Sequence, residues 1–350
     1  MILKTSDSSL INIDELIDKG FNSYTIIDVR SPSEFFEDHL PTAVNIPILN
    51  DYERDVVGKI YVNESHHKAR ITALRLIQHK LADTLEEIIS YARNKPLLLY
   101  CFRGGDRSKV VQNLLGLLYV NTVRLHGGYK SFRKKVFNYF EDSILPQCIT
   151  LYGPTGCGKT KILRLLEEEN IPLLDLEGAA AHKGSNFGHI GEDNYQRVTQ
   201  KNFESALWYS LYKSKFPKVV FVEGESKRIG KVSVPKRLFQ NMRSGINVYI
   251  DRELKKRVDF IIQEYKPQLY KEEIIKCFDK IKRYMSKNDI ELLRELLCQN
   301  RFYEFSEKII LDYYDPLYEK SYPKNISINL NANNLSEVVD KLKDLYKNFV

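Results

Sequence analysis

Residues 148–160 read Cys148-Ile149-Thr150-Leu151-Tyr152-Gly153-Pro154-Thr155-Gly156-Cys157-Gly158-Lys159-Thr160. The first five form a short apolar run that predicts a buried strand, and the last eight satisfy G-x-x-x-x-G-K-[ST] in full. Residues 158–168 predict a helix. Strand, glycine loop and helix in that order are what a phosphate-binding loop requires. The glycines let successive backbone N–H groups wrap an anion, Lys159 brings a point charge to the terminal phosphates, and the Thr160 hydroxyl offers a ligand to Mg²⁺. This reading makes the surrounding region an α/β domain. It assigns a phosphate or diphosphate to Gly153, Gly156, Gly158, Lys159 and Thr160, with Mg²⁺ at Thr160 as the candidate metal.

Further along, the strand predicted at residues 219–222 leads into Glu223-Gly224-Glu225-Ser226. Nucleotide-hydrolysing phosphate loops usually pair with an aspartate at this place, so the motif predicts a phosphate ligand without predicting NTP hydrolysis. Glu223 and Glu225 are candidates for acid/base or metal chemistry, with a solvated strand end as the plainer reading. Asp175 and Glu177, in Asp175-Leu176-Glu177-Gly178 after a strand at 172–176, belong to the same candidate set. Cys157 inside the loop reads equally as a second reactive thiol and as a small filler.

Toward the N-terminus, residues 97–101 (LLLYC) form a second buried-looking strand. Phe102-Arg103-Gly104-Gly105-Asp106-Arg107 follow, and a helix is predicted from Ser108. A loop of this kind at a helix N-terminus collects backbone N–H groups around an anion. A thiol at its centre is favoured as thiolate. A lone cysteine is ordinarily a small core residue; the glycine pair and the two arginines tip the reading toward function. Cys101, Arg103 and Arg107 are therefore the candidate catalytic residues of a site suited to a thiolate, a persulfide or a bound oxyanion. Further strands are expected at 24–29, 122–125 and 247–250, and helices at 108–118, 132–141 and 336–348.

The 350 residues suffice for two domains and a further piece. With 43% apolar and 28% charged residues the composition is globular, which sets disorder aside. The five cysteines form no CxxC pair, so neither a disulfide framework nor a zinc site is expected. The first residues carry neither a basic nor an apolar leader segment, and no apolar run approaches a membrane span. A cytoplasmic protein without a membrane partner is expected; the sequence leaves its oligomeric state open.

The net charge is +7, and the surplus is uneven. Residues 218–257 hold eleven Lys or Arg against four acids, and residues 124–137 hold five against none, interleaved with Tyr129, Phe132 and Phe137. Basic groups beside aromatic ones suit an RNA backbone and its splayed bases, although such runs are commonly solvated helix faces. Lys130, Arg133, Lys134, Lys135, Lys227, Arg228 and Lys231, with His182 and Lys183 of a small, polar binding loop at 182–188, are the candidate RNA contacts.

The stretch Asp28-Val29-Arg30-Ser31-Pro32-Ser33-Glu34-Phe35, then His39-Leu40-Pro41-Thr42-Ala43-Val44-Asn45-Ile46-Pro47, resembles the N-terminal signature of rhodanese-type sulfurtransferase domains. The Cys101–Ser108 segment resembles their active-site loop, and in that likeness Asp28 and Arg30 tie the first strand to the loop. A rhodanese-like domain followed by a P-loop domain resembles the tRNA 2-selenouridine synthase family. Gly127-Gly128-Tyr129-Lys130, Asp175-Leu176-Glu177-Gly178, His182-Lys183-Gly184-Ser185, Glu223-Gly224-Glu225-Ser226 and Tyr313-Tyr314-Asp315-Pro316 carry that likeness further. The family pattern has arginine where Lys183 stands, aspartate where Gly224 stands, and in some members a second cysteine where Tyr100 stands.

The resemblance implies an N-terminal rhodanese-like α/β domain at 1–143, a P-loop α/β domain at 147–255 and a mostly helical C-terminal region at 256–350. It implies a transferase that replaces sulfur by selenium in wobble 2-thiouridine of tRNA, with selenophosphate as donor, through an S-geranylated intermediate made from geranyl diphosphate. No tightly bound cofactor is expected; tRNA is the partner, together with an enzyme that supplies selenophosphate. The competing reading is a rhodanese-type sulfurtransferase fused to an NTPase or kinase that acts on a small molecule.

Overall fold

The computed structural model describes residues 10–92 and 94–349; residues 1–9, read above for a leader, lie outside them. The described chain is α/β and divides into two compact units, Met1–Asn138 and Tyr139–Val350. The division falls inside the helix Gly128–Asp142.

The first unit is built on five parallel strands: β1 (Leu10–Ile11), β2 (Thr25–Asp28), β3 (Val44–Asn45), β4 (Leu97–Tyr100) and β5 (Thr122–Leu125), in the order β1-β5-β4-β2-β3. All four residues of β4 are buried, which is why this strand reads as an unbroken apolar run rather than an alternating one. From β2 the chain adds β3 on one side and later β4 on the other. The crevice outside the carboxyl ends of β2 and β4 is thus the place where an open parallel sheet binds ligands.

That crevice is closed below by a buried ion pair. Arg30 meets Asp28 at 2.6 Å, and both side chains are almost fully buried. The same guanidinium donates to the Asp38 carbonyl at 2.7 Å and lies 4.1 Å from the Tyr129 ring centre. The Tyr129 hydroxyl donates to Asp38 at 2.9 Å, and the Leu40 amide donates to the Tyr100 hydroxyl at 3.2 Å. The end of β2, the end of β4 and the start of the helix Gly128–Asp142 are held by one polar network, the structural role the resemblance implies for Asp28 and Arg30.

The second unit contains β6 (Gln147–Tyr152), β7 (Leu173–Leu174), β8 (Val219–Glu223), a short antiparallel hairpin of β9 (Arg228–Ile229) and β10 (Val232–Ser233), β11 (Ile246–Asp251) and β12 (Ile326–Asn331). Its main sheet is parallel, in the order β12-β11-β6-β8-β7. The helix Lys159–Glu168 packs Ile162, Leu163 and Leu166 into the core beneath β6 and β8. Residues 256–350 are mostly helical, but they do not stand apart as a separate region. β12 pairs with β11, and Val338, Val339 and Leu342 of the helix Leu335–Lys347 complete the same core. A second cluster joins Phe187 and Ile190 to the helices between residues 271 and 314.

Removing one partner of a buried ion pair leaves the other uncompensated. Arg30→Met is expected to lower the unfolding free energy by about 3–5 kcal/mol, read as a reduced urea midpoint. The double variant Asp28→Asn/Arg30→Met should recover part of the loss; equal stability of Arg30→Met and the native chain would contradict this account.

Candidate active sites

In the first unit β4 delivers Cys101 to the start of its loop, and Gly105 caps the helix Asp106–Leu117. The thiol is buried, and the Ser108 hydroxyl lies 3.3 Å from its sulfur. The loop is pinned from its far side: the Tyr129 and Lys130 amides donate to the Cys101 and Phe102 carbonyls, each at 2.9 Å. This contact requires a glycine at 128. Its φ is +56°, and a Cβ there would stand 2.2 Å from the Cys101 carbonyl oxygen. Arg124 donates to the Gly104 carbonyl and holds the other shoulder.

The two candidate arginines differ. Arg107 is committed to Glu34 through two hydrogen bonds of 2.5 and 3.0 Å. Burial by itself would raise the Glu34 carboxyl, but these bonds bring it below its ordinary value. Arg107 is therefore a strut between the loop helix and the helix Pro32–Glu37. Arg103 is exposed, with its guanidinium 5.9 Å from the Phe102 ring centre. Both line a cavity of about 960 Å³ that opens at Cys101.

In the second unit the loop after β6 has the conformation its glycines foretell, with φ of +154° at Gly153, +80° at Gly156 and +96° at Gly158. A Cβ at Gly153 would meet the Ile250 carbonyl at 2.3 Å, so β11 presses directly on the loop. Lys159 Nζ donates to the Gly153 carbonyl at 3.0 Å. Cys157 is fully buried in the core beneath the loop. Arg257 donates to the Thr155 carbonyl at 2.9 Å and pairs with Asp315 at 2.5 and 3.0 Å. Asp315 of the Tyr-Tyr-Asp-Pro segment thus braces the phosphate loop through an arginine, a role its sequence position does not announce.

All four candidate carboxylates lie near this loop. Glu223 is adjacent to Leu151 in register and accepts from the Leu176 amide at 3.0 Å, while its other oxygen is buried without a partner. Asp175 caps the helix Leu176–Ala180, accepting from the Gly178 amide at 2.7 Å. Glu177 accepts a hydrogen bond from the Thr160 hydroxyl at 2.9 Å. A Cβ at Gly184 would stand 2.5 Å from Glu225 and 3.0 Å from Glu177, so this glycine is what lets the two carboxylates share the cavity. Burial, and then the charge of Glu225, pushes Glu177 up to about 8. Burial also raises Glu223 and Glu225, and Lys159 is raised, against its own burial, by Cys157 first and then by Glu225, Glu177 and Glu223. Glu177, Glu225, Lys159, Thr160, Lys183 and Tyr265 line a cavity of about 460 Å³. Among the described residues no group of three or more His, Cys, Asp or Glu is placed to hold a metal ion.

The candidate RNA contacts separate by burial. Lys130, Lys134 and Lys135 are exposed on the helix Gly128–Asp142, with Lys135 paired to Asp14 at 2.6 Å; Arg133 is half-buried. Lys227, Arg228 and Lys231 are exposed on and beside the β9–β10 hairpin. His182 does not fit a surface contact. It is buried against Gly188 and Gly230, and burial, followed by the neighbouring His189, pushes it down to about 4. Lys183 turns inward, 3.3 Å from Glu192 and 5.0 Å from the Tyr265 ring centre. It lines the cavity beside Lys159 and Thr160.

Residues 146–348 match the family described as the tRNA 2-selenouridine synthase AAA domain, and residues 12–135 match the rhodanese-like domain. The chain belongs to the tRNA 2-selenouridine synthase family. A tRNA 2-selenouridine synthase from Hydrogenovibrio crunogenus is 33% identical, over 85% of this chain and 89% of its own length. One from Sulfurovum sp. is 30% identical, over 92% of this chain and 95% of its own. One from Nitrosomonas eutropha is 36% identical over 73% of this chain and 66% of its own. No helix among the described residues is long and apolar enough to cross a membrane.

Two measurements test these geometries. Gly128→Ala forces a left-handed backbone on alanine, about 1–2 kcal/mol before any clash, and should lower the melting temperature and alter Cys101 alkylation. Gly116→Ala, which meets nothing within 4 Å, should do neither. Inorganic pyrophosphate titrations should show affinity falling as pH rises through about 8, because ionised Glu177 repels the anion while its protonated form does not. Glu177→Gln should flatten that step; an unchanged step would remove Glu177 as its source.

Proposed function

We propose that the protein replaces sulfur by selenium in wobble 2-thiouridine of tRNA, in two steps divided between its two loops. The observation that carries this reading is the presence of both loops, complete, in one chain whose relatives with that name match across both units.

In the first step the thiocarbonyl sulfur attacks C1 of geranyl diphosphate. A C–S bond forms, the C–O bond breaks, and diphosphate leaves into the loop at Lys159. The uracil N3 proton passes to a carboxylate of the cavity, with Glu225 as the base. The protonated Glu177 spares the leaving diphosphate a second negative neighbour. The Thr160 hydroxyl is the protein's own ligand for a Mg²⁺ ion arriving with the diphosphate, which would neutralise its charge.

S-alkylation turns a poor leaving group into a good one. In the second step the selenium of selenophosphate, held in the Cys101 loop, attacks C2. The C–Se bond forms, the C–S bond breaks and geranyl thiolate leaves; water then cleaves P–Se and releases phosphate. This route balances without an outside reductant, whereas a Cys–Se adduct transferred to C2 would need one. An enzyme that forms selenophosphate supplies the donor. The exposed lysines at 130, 134, 227 and 231 and Arg228 contact tRNA phosphates, so binding weakens with salt.

The test is nucleoside mass spectrometry of 2-thiouridine tRNA incubated with geranyl diphosphate and selenophosphate, each omitted in turn. Lys159→Ala should slow geranylation by about 10²–10³-fold yet still convert geranylated tRNA. Cys101→Ala should geranylate normally and, because the attacking selenium comes from selenophosphate itself, should slow selenium transfer without abolishing it; complete loss of that step would favour a Cys–Se adduct instead. ATP turnover indifferent to tRNA, with an unchanged nucleoside, would instead favour the sulfurtransferase–NTPase reading.

A further inference from the structure

The cavity beside Cys101 is larger and more apolar than an inorganic donor needs. It measures about 960 Å³, near the upper end for small-molecule sites, and two helices between β3 and β4 supply much of its wall, opposite the Cys101 loop. The helix Asp51–Asn63 contributes Val57, Gly58 and Val62, and the helix His66–Ile77 contributes Ala73, Leu74 and Ile77. Arg54, Lys59 and Arg70 also line it, but a small charged donor has no use for the apolar surface between them.

Two observations mark the space as kept open. Val62 is 81% exposed and Leu74 47% exposed, although both face one cavity where they could have packed together. Gly58 sits in the interior of its helix, where glycine weakens the structure, and a Cβ there would meet nothing within 4 Å. No turn, close approach or positive φ requires a glycine at that place. What its absent side chain provides is room in the wall.

We infer that this cavity binds the prenyl chain of the S-geranylated nucleoside during selenium transfer. The inference rests on the two-step reading above. If C2 of the base reacts with selenium at the Cys101 loop, the ten-carbon chain on the departing sulfur must lie within its own length of Cys101. The apolar walls supply the surface that removes it from water. The occupant is the leaving group of the second step, not geranyl diphosphate, whose diphosphate belongs to the Lys159 loop of the other unit. The site holds geranyl thiolate as the C–S bond breaks and so favours displacement of the prenylated sulfur over the bare thiocarbonyl.

The test uses the full chain and tRNA that already carries S-geranyl-2-thiouridine, with selenophosphate, so that the second step is read without the first. Gly58→Phe fills the space and Leu74→Glu charges its wall; neither residue is in the packed core. Each should slow formation of 2-selenouridine by at least about ten-fold, the worth of fewer than two buried methylenes. Geranylation of 2-thiouridine tRNA from geranyl diphosphate should be unchanged, so the geranylated nucleoside accumulates. With tRNA carrying S-methyl-2-thiouridine, native protein and Gly58→Phe should convert equally. Native rates for both variants on the geranylated substrate would overturn the assignment and leave the two-step function standing. Native protein that converts no geranylated tRNA would overturn the reading beneath it, and the assignment with it.

Discussion

A helix that follows directly on a buried parallel strand begins with amides that no backbone carbonyl can take. Of the strand-to-helix junctions in this protein, two carry the chemistry, the one after β4 and the one after β6. In each case a glycine-containing loop precedes the helix, and the dipole and free amides of a helix N-terminus favour an anion there. Everything chemically distinctive is arranged around those two points: a thiol at one, an ammonium and a set of carboxylates at the other. The remainder of the fold holds the loops still.

How they are held differs. The Cys101 loop is clamped by backbone, with the Tyr129 and Lys130 amides on its carbonyls, and Gly128 leaves no room for a side chain between. The phosphate loop is clamped by charge, with Arg257 on the Thr155 carbonyl and Asp315 behind it. A loop that must present a thiol gains from close steric definition. A loop that must receive a polyanion gains from a fixed cation whose own charge is already balanced, since a bare guanidinium there would compete for the ligand.

The carboxylates around Lys159 invert the usual economy of a phosphate site. Burial keeps Glu177 protonated into the neutral range, so the cavity carries less negative charge than its composition suggests. An acidic pocket can thereby keep its carboxylates close together beside the Lys159 ammonium. Gly184 is the steric condition for this, because any side chain there would push Glu225 and Glu177 apart.

The strands at 122–125 and 219–223, the phosphate loop and the Cys101 loop are legible in the sequence because each is fixed by neighbours a few residues away: apolar runs, glycine spacing, a helix start. β12 is not, since its Ile-Ser-Ile-Asn-Leu-Asn pattern is only partly buried and its partner β11 lies some 80 residues back. Nor are the bonds of Arg107 to Glu34 and of Arg257 to Asp315, separated by 73 and 58 positions, which turn a catalytic candidate into a strut and an unremarked motif into a brace. His182 and Lys183, candidate RNA contacts of a polar binding loop, lie inward against Gly188, Gly230 and Tyr265. The sequence by itself determined which chemical groups stand at the two strand ends, because local geometry and residue type suffice for that. Only the tertiary structure decided which charges are free, which are spent on one another, and where the apolar space beside Cys101 lies, because burial and long-range pairing exist only once distant segments meet.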